Sequence, residues 1–73
     1  MKVNKAQAIL YIFHMLLVNG SIKKDDVQSV ISISDITFRR YIQEIRAYLV
    51  NFDKSLEVVY RKLEDLYVLK NNR

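Results

Sequence analysis

The residues Val27-Gln-Ser-Val-Ile-Ser-Ile-Ser-Asp-Ile-Thr-Phe-Arg-Arg-Tyr-Ile-Gln-Glu-Ile-Arg46 contain the clearest structural signal in the chain. Ser34 stands where an N-cap is expected, and Phe38, Ile42 and Ile45 recur at helical spacing after it. This pattern predicts a helix over residues 35–50 with one apolar face. Residues 24–31 predict a shorter helix before it, so the two together predict a tight helix-turn-helix unit.

The face of the helix at 35–50 that points away from its apolar side is polar and basic. At about 100° per residue, Ile36, Arg40 and Gln43 lie opposite Phe38, and arginines 39 and 46 lie on one flank. The pattern therefore predicts an exposed ridge that carries three arginines and a glutamine.

Upstream of this unit, the sequence predicts a first helix over Lys5–Asn19, with Asn4 as its N-cap and Gly20 after its end. Its apolar residues cover more than one face. One is a core stripe, and the second consists of Ala8, Tyr11, Met15 and Val18. We infer from the second face a surface for a homodimer, with cover by a hairpin later in the chain as the alternative.

Downstream, residues 55–70 allow two interpretations. Leu56-Glu-Val-Val-Tyr60 and Leu66-Tyr-Val-Leu69 are rich in β-branched and aromatic residues, which favours a hairpin closed by residues 61–65. Periodicity alone slightly favours a helix, which would make the chain an all-helical bundle. The pair Ser21-Ile22 is a further candidate for a short edge strand.

Composition narrows the classes of function. The chain has 73 residues, which predicts one domain over residues 1–73. One glycine leaves no phosphate-cradling loop, and the absence of cysteine with a single histidine, His14, leaves no thiolate metal site. We therefore expect no enzyme, no metal and no cofactor. The formal net charge of +4 suits an anionic partner.

The apolar run at residues 8–18 bears on the location of the protein. It is short of the ~20 residues needed to span a bilayer, and His14 interrupts it. No small-residue cleavage site follows it, so a secretion signal is not indicated. We expect a cytoplasmic protein that does not enter a membrane, in agreement with the lack of cysteine.

Part of the sequence resembles the motif of a known protein family. Ile33-Ser34, Thr37-Phe-Arg-Arg40 and Ile42 fit the pattern Val-Ser-x-x-Thr-Ile-Arg-Arg-Asp-Leu of the DeoR-like and related winged-helix bacterial transcriptional regulators. Glu57-Val-Val-Tyr60 and Tyr67-Val-Leu69 resemble the two strands of their wing. The resemblance extends over residues 9–69. The chain departs from the family at Tyr41, where an acidic residue is frequent, and at Leu66, where a glycine is frequent.

The resemblance implies a mainly α fold with a small β-hairpin, namely a winged helix-turn-helix of three helices plus a two-stranded wing. It implies a dimeric regulator of transcription that binds double-stranded DNA at an operator, with the helix at 35–50 in the major groove. Arginine can pair with guanine, glutamine with adenine, and isoleucine with a thymine methyl group. The expected DNA contacts are Ser34, Ile36, Thr37, Arg39, Arg40, Gln43, Arg46, Arg61 and Lys62.

Two points stay open at the level of the sequence. Glu64 and Asp65 at the wing tip would repel phosphate, which limits the part that the wing plays in DNA binding. The alternative function is a winged-helix protein-interaction module without DNA binding, in which the apolar first helix binds a partner and the basic helix is solvated surface. The chain is compatible with a stand-alone regulator and with the N-terminal domain of a longer one.

Overall fold

The protein consists of three helices and a three-stranded antiparallel sheet in the computed structural model, which describes residues 3–72. The elements follow in the order α1 (Lys5–Asn19), β1 (Ser21–Ile22), α2 (Lys24–Val30), α3 (Asp35–Phe52), β2 (Leu56–Arg61) and β3 (Leu66–Asn71). The prediction of a mainly helical chain with a small β-hairpin is confirmed at this level.

The ends of α1 are set by its own sequence. At the start, the side chain of Asn4 accepts a hydrogen bond of 2.8 Å from the backbone N–H of Gln7, which satisfies one of the free donors of the first turn. At the end, Gly20 adopts a left-handed conformation with φ 79° and its N–H donates to the carbonyl of Leu16. The predicted bounds of this helix are confirmed.

The two helices that follow are joined by four residues, 31–34. Helix α2 ends at Val30, one residue before its predicted end, because Ile31 is extended. Helix α3 begins after Ser34, whose side chain accepts from the N–H of Thr37, as predicted. It continues to Phe52, two residues beyond its predicted end, and the N–H of Asp53 still donates to Leu49.

The C-terminal segment forms the hairpin and not the alternative helix. Strands β2 and β3 pair in antiparallel register, with Val58 opposite Leu69 and Tyr60 opposite Tyr67. Strand β1 adds a third strand on the other side of β3, so the order is β1-β3-β2 and the sheet is larger than the expected two-stranded wing.

The core lies between the helices and the inner face of the sheet. Phe38 is fully buried, and its ring meets that of Tyr67 edge-on at 5.3 Å, which joins α3 to β3. The most deeply buried large side chains besides Phe38 come from α1 and α3, namely Ile12, Leu16 and Ile42. One cluster of buried side chains connects all six elements.

The α1 face predicted for self-association is only partly exposed in the structure. Ala8 is 1% exposed and belongs to the core, while Tyr11 and Met15 are half-buried. Both line a shallow depression with Ile22 of β1 and Val27 of α2, so the cover there comes from these two elements and not from the hairpin that the sequence offered as the alternative. Only Val18, at 65% exposure, is free of such cover. Over residues 3–72, no helix is at once long enough and apolar enough to cross a lipid bilayer.

Candidate nucleic-acid interface

Helix α3 divides into a buried face and an exposed ridge. Phe38, Ile42, Ile45 and Leu49 are buried, as their spacing predicts. Ile36, Arg39, Arg40 and Gln43 are all exposed. Neither arginine forms an ion pair with another residue in the range 3–72. The ridge therefore offers a partner two guanidinium groups that are not engaged in ion pairs.

The start of α3 is tied to α2 by a small polar network. Asp35 forms an ion pair with Lys24, at 3.2 Å between Nζ and Oδ2, and accepts a hydrogen bond of 2.7 Å from Nε2 of Gln28. Gln28 also donates to the carbonyl of Ile33. These bonds, first that of Gln28 and then that of Lys24, hold the pKa of Asp35 below its ordinary value.

Ser34 and Thr37 are engaged in the helix cap. Besides the bond from the N–H of Thr37, the Oγ of Ser34 donates to the Oγ1 of Thr37 at 3.0 Å. Both hydroxyl groups lie at the N-terminal end of α3, where the backbone amides attract an anion. The predicted capping role of Ser34 is confirmed, and contact of the two hydroxyl groups with phosphate stays a prediction.

A cleft of about 270 Å³ separates α3 from the hairpin. The flank of α3 contributes Arg39, Gln43 and Arg46 to it, and the other walls come from Lys24, Tyr60, Asp65 and Tyr67. Arg46 departs from the predicted exposed ridge of three arginines: it is half-buried against β2, where its Nε donates to the carbonyl of Val58 at 3.3 Å. Arg46 thus holds β2 against α3 in addition to lining the cleft.

The tip of the hairpin is closed by internal bonds. The hydroxyl of Tyr60 donates to Oδ1 of Asp65 at 2.7 Å, and this bond raises the pKa of Tyr60. The N–H of Asp65 donates to the carbonyl of Lys62, and Asp65 itself has a positive φ of 50°. Lys62 is exposed beside Leu63, whose side chain is 99% exposed.

The structure separates Arg61 from the other predicted contacts. Successive residues of a strand point to opposite faces, so Tyr60 faces the cleft and Arg61 faces outward. Arg61 lines a shallow outer depression with Val59, Val68 and Lys70. The predicted residues therefore fall into three groups: the ridge and cleft of α3, the cap of α3, and the outer face and tip of the hairpin.

Sequence reasoning assigned only Arg39, Gln43 and Arg46 of the cleft to a site, and Lys24 and Tyr60 are among the lining residues that it missed. Lys24 is the first residue of a short helix with acidic residues, but its partner Asp35 lies eleven residues away, so the sequence does not indicate the pair. Tyr60 is an aromatic residue in a predicted strand. Aromatic residues are common in strands, so its type predicts a sheet and not a place in a binding site. Within the described part of the chain, no group of three or more His, Cys, Asp or Glu side chains could hold a metal ion.

No family model, no curated protein and no solved structure matches the chain. Its function is therefore inferred from the chemistry of this surface. Guanidinium groups form paired hydrogen bonds with phosphate oxygens and with the major-groove edge of guanine. An exposed helix with two such groups, beside a cleft lined by further cations, is suited to a ligand with regularly spaced negative charge.

Proposed function

We propose that the chain is a winged helix-turn-helix domain that binds double-stranded DNA in a sequence-specific manner and regulates transcription at an operator. The observation that carries the proposal is the exposed ridge of α3, on which Arg39 and Arg40 form no ion pair with any residue between 3 and 72. In this proposal α2 and α3 are the helix-turn-helix, and the β2–β3 hairpin is the wing.

The shape of α3 is compatible with entry into the major groove. The groove is about 12 Å wide and admits an α-helix. Arg40 and Gln43 project from the side of α3 opposite to the core, so they would reach base edges first. Arg40 would pair with guanine and Gln43 with adenine, and Ile36 would contact a thymine methyl group, each pairing contributing about 1–3 kcal/mol of discrimination.

The flank of α3 and the hairpin would follow the phosphate backbone. Arg39 lines the cleft and is exposed to solvent. Arg46 uses one guanidinium N–H to bind the carbonyl of Val58 and has further N–H groups that could bind phosphate. Lys62 extends from the hairpin tip toward solvent. Arg61 faces the other side of the hairpin, so in this proposal it contacts a different stretch of backbone from Arg39.

Two acidic residues near the surface are partly compensated, which supports the proposal. Asp35 is paired with Lys24, so its charge does not oppose a phosphate at the start of α3 as an isolated carboxylate would. Asp65 accepts the hydroxyl hydrogen bond of Tyr60 and is turned toward the hairpin. Arg39 and Arg40 of the ridge, by contrast, form no ion pair within residues 3–72.

The proposal is tested by fluorescence-anisotropy binding to a random-sequence DNA duplex over a series of salt concentrations. The test variant is Arg39→Ala/Arg40→Ala. The matched control is Lys5→Ala/Lys54→Ala, which removes the same number of positive charges from exposed positions outside the ridge and the cleft. We expect the ridge variant to lower the slope of log K against log[salt] by about 2 and the control by less than about 1.

The two variants also define the contrary results. Equal loss of affinity in both would mean that net charge alone drives binding, which contradicts a specific role for the ridge. Absence of binding by the natural chain at low salt contradicts DNA binding and favours the protein-interaction module. Where binding is found, selection from a random DNA library should yield a preferred sequence, and Gln43→Ala should relax the preference at one position.

A further inference from the structure

We propose that an exposed apolar surface on α1 and α3 binds a second copy of this chain, so that the protein forms a two-fold symmetric dimer. We call this the aromatic surface. It consists of Leu10, Phe13 and Leu17 on α1 and Tyr48 and Phe52 on α3. It is a different surface from the α1 face predicted from the sequence, which the monomer largely buries.

The aromatic surface is continuous across the two helices. The rings of Phe13 and Tyr48 meet edge-on at 5.9 Å, and those of Tyr48 and Phe52 lie at 5.1 Å. Leu10 lines a groove with Phe13 and Tyr48, and Leu17 stands two turns further along the same face of α1. The contacts pre-order the aromatic rings before any partner arrives, which reduces the entropy lost on binding.

Most of this surface is open to solvent in the monomer. The exposed fractions are 65% for Leu10, 54% for Leu17, 49% for Tyr48 and 75% for Phe52. With about 150–250 Å² per aromatic side chain, the exposed apolar area is on the order of 400 Å², which is in the range of functional patches. A stable dimer buries about 800 Å² per partner, with an apolar centre and a polar rim. The aromatic surface has the size of such a centre.

Charge is compatible with a second copy as the occupant. None of the five residues is charged, and the groove beside Leu10 contains one charged side chain, the acidic Glu44. Two copies with a net charge of +4 can therefore meet here without bringing lysines or arginines together at the centre. The arginine ridge lies on another side of α3, so an isologous contact leaves it free.

The position of the surface along α3 fits a dimer on DNA, and this step rests on the proposed function. Tyr48 and Phe52 lie in the C-terminal half of α3, about 15 Å along the helix from Arg40. An antiparallel two-fold contact there would place the two Arg40 residues about 30 Å apart. Successive major grooves on one side of DNA are about 34–36 Å apart. The dimer would thus present both ridges to neighbouring half-sites.

Sedimentation equilibrium of the full chain, from about 5 to about 500 µM, tests the self-association itself. The test variant is Leu10→Gln/Phe52→Gln, and the matched control is Val50→Gln/Leu63→Gln, which removes two exposed apolar side chains outside the aromatic surface. We expect a dimer for the natural chain and the control, and a dissociation constant raised at least about tenfold in the test variant. A natural chain that stays monomeric, or a test variant that associates like the control, overturns the proposal.

A cross-linking experiment keeps the proposal testable if the glutamine variant does not fold. The chain contains no cysteine, so a single Leu17→Cys substitution gives one reactive thiol, and Leu63→Cys gives a control at the hairpin tip. We expect a short bismaleimide to link Leu17→Cys into a covalent dimer at low protein concentration and to leave Leu63→Cys monomeric. Equal cross-linking of the two variants contradicts the proposed contact.

The DNA-binding assay separates this inference from the proposed function. Self-association without DNA binding would support the dimer and contradict the regulator. Tight DNA binding by the natural chain as a monomer, unaffected by Leu10→Gln/Phe52→Gln, would support the DNA-binding function and contradict the dimer.

Discussion

The side-chain carboxylate of Asp35 links α2 and α3, the two helices of the proposed helix-turn-helix. As the first residue of α3, it complements the positive end of the helix dipole, as its place in the sequence suggests. Its carboxylate also accepts hydrogen bonds from the side chains of Lys24 and Gln28 in α2. One carboxylate therefore stabilises the start of α3 and limits how far α2 can move from it.

The first prediction concerns the pKa of this carboxylate. We expect Asp35 to titrate below 3.8 in the folded chain, because Gln28 and Lys24 both favour the charged form. A folded-state pKa below the unfolded one means that Asp35 contributes stability at neutral pH, and that this contribution is lost as the pH falls from about 4 through the folded-state pKa. A ¹³C-detected NMR titration of the side-chain carboxyl measures it.

Two variants separate the contributions of Gln28 and Lys24 to the lowered pKa of Asp35. Gln28→Ala and Lys24→Gln should each move the pKa of Asp35 back toward 3.8. The neighbouring Lys23→Gln is the control, because the bond to Asp35 comes from Lys24 and not from Lys23. An Asp35 that titrates at its ordinary value in the natural chain would show that the network does not persist in solution.

Among the elements, the junction between α1 and β1 depends most on one residue. Gly20 ends α1 with φ 79°, a region that side chains rarely adopt. Its N–H donates to Leu16 and its carbonyl accepts from Leu69, so the same residue ends a helix and starts the pairing of β1 with β3. A change in its conformation would disturb both.

We expect Gly20→Ala to lower the free energy of unfolding by about 1–2 kcal/mol, the usual cost of a left-handed conformation for a residue with a Cβ. The cost should come from the backbone, because a Cβ placed there meets no atom within 4 Å. Urea unfolding followed by circular dichroism measures the change. Gly20→Asn should cost less than Gly20→Ala, since asparagine tolerates this region better, and the reverse order would contradict the explanation.

At the level of the whole molecule, stability depends on one shared core. Phe38 is fully buried in the first turn of α3 and contacts Tyr67 of the sheet. We expect Phe38→Ala to cost about 3–5 kcal/mol, a large part of the net stability of a domain of this size. Far-UV circular dichroism should show loss of helix and sheet together, because both pack on the same residue.

Leu63→Ala is the control for Phe38→Ala, because it truncates an apolar side chain that is 99% exposed. We expect Leu63→Ala to change the free energy of unfolding by less than about 0.5 kcal/mol. Helical signal retained by Phe38→Ala after the sheet has melted would contradict a single cooperative core.

The sequence by itself determined the local elements. Asn4, Ser34 and Gly20 mark helix ends, and the apolar spacing of α3 identifies its buried face, because capping and periodicity depend on residues within a few positions of each other. The hairpin required more than periodicity, since residues 55–70 also fit a helix. The exposure of Arg39, Arg40 and Gln43 followed from the same spacing, while their contact with DNA stays a prediction.

Tertiary packing alone decided which surfaces remained free. Strand β1 pairs with β3, more than forty residues later, and this region of the fold covers Tyr11 and Met15. The bond from Arg46 to Val58 and the pairing of Lys24 with Asp35 likewise join separate elements. A helical pattern indicates that one side of a helix is apolar. Whether that side faces the core or solvent depends on which element packs against it. For Leu10 and Phe52, no element among the described residues of the monomer does so.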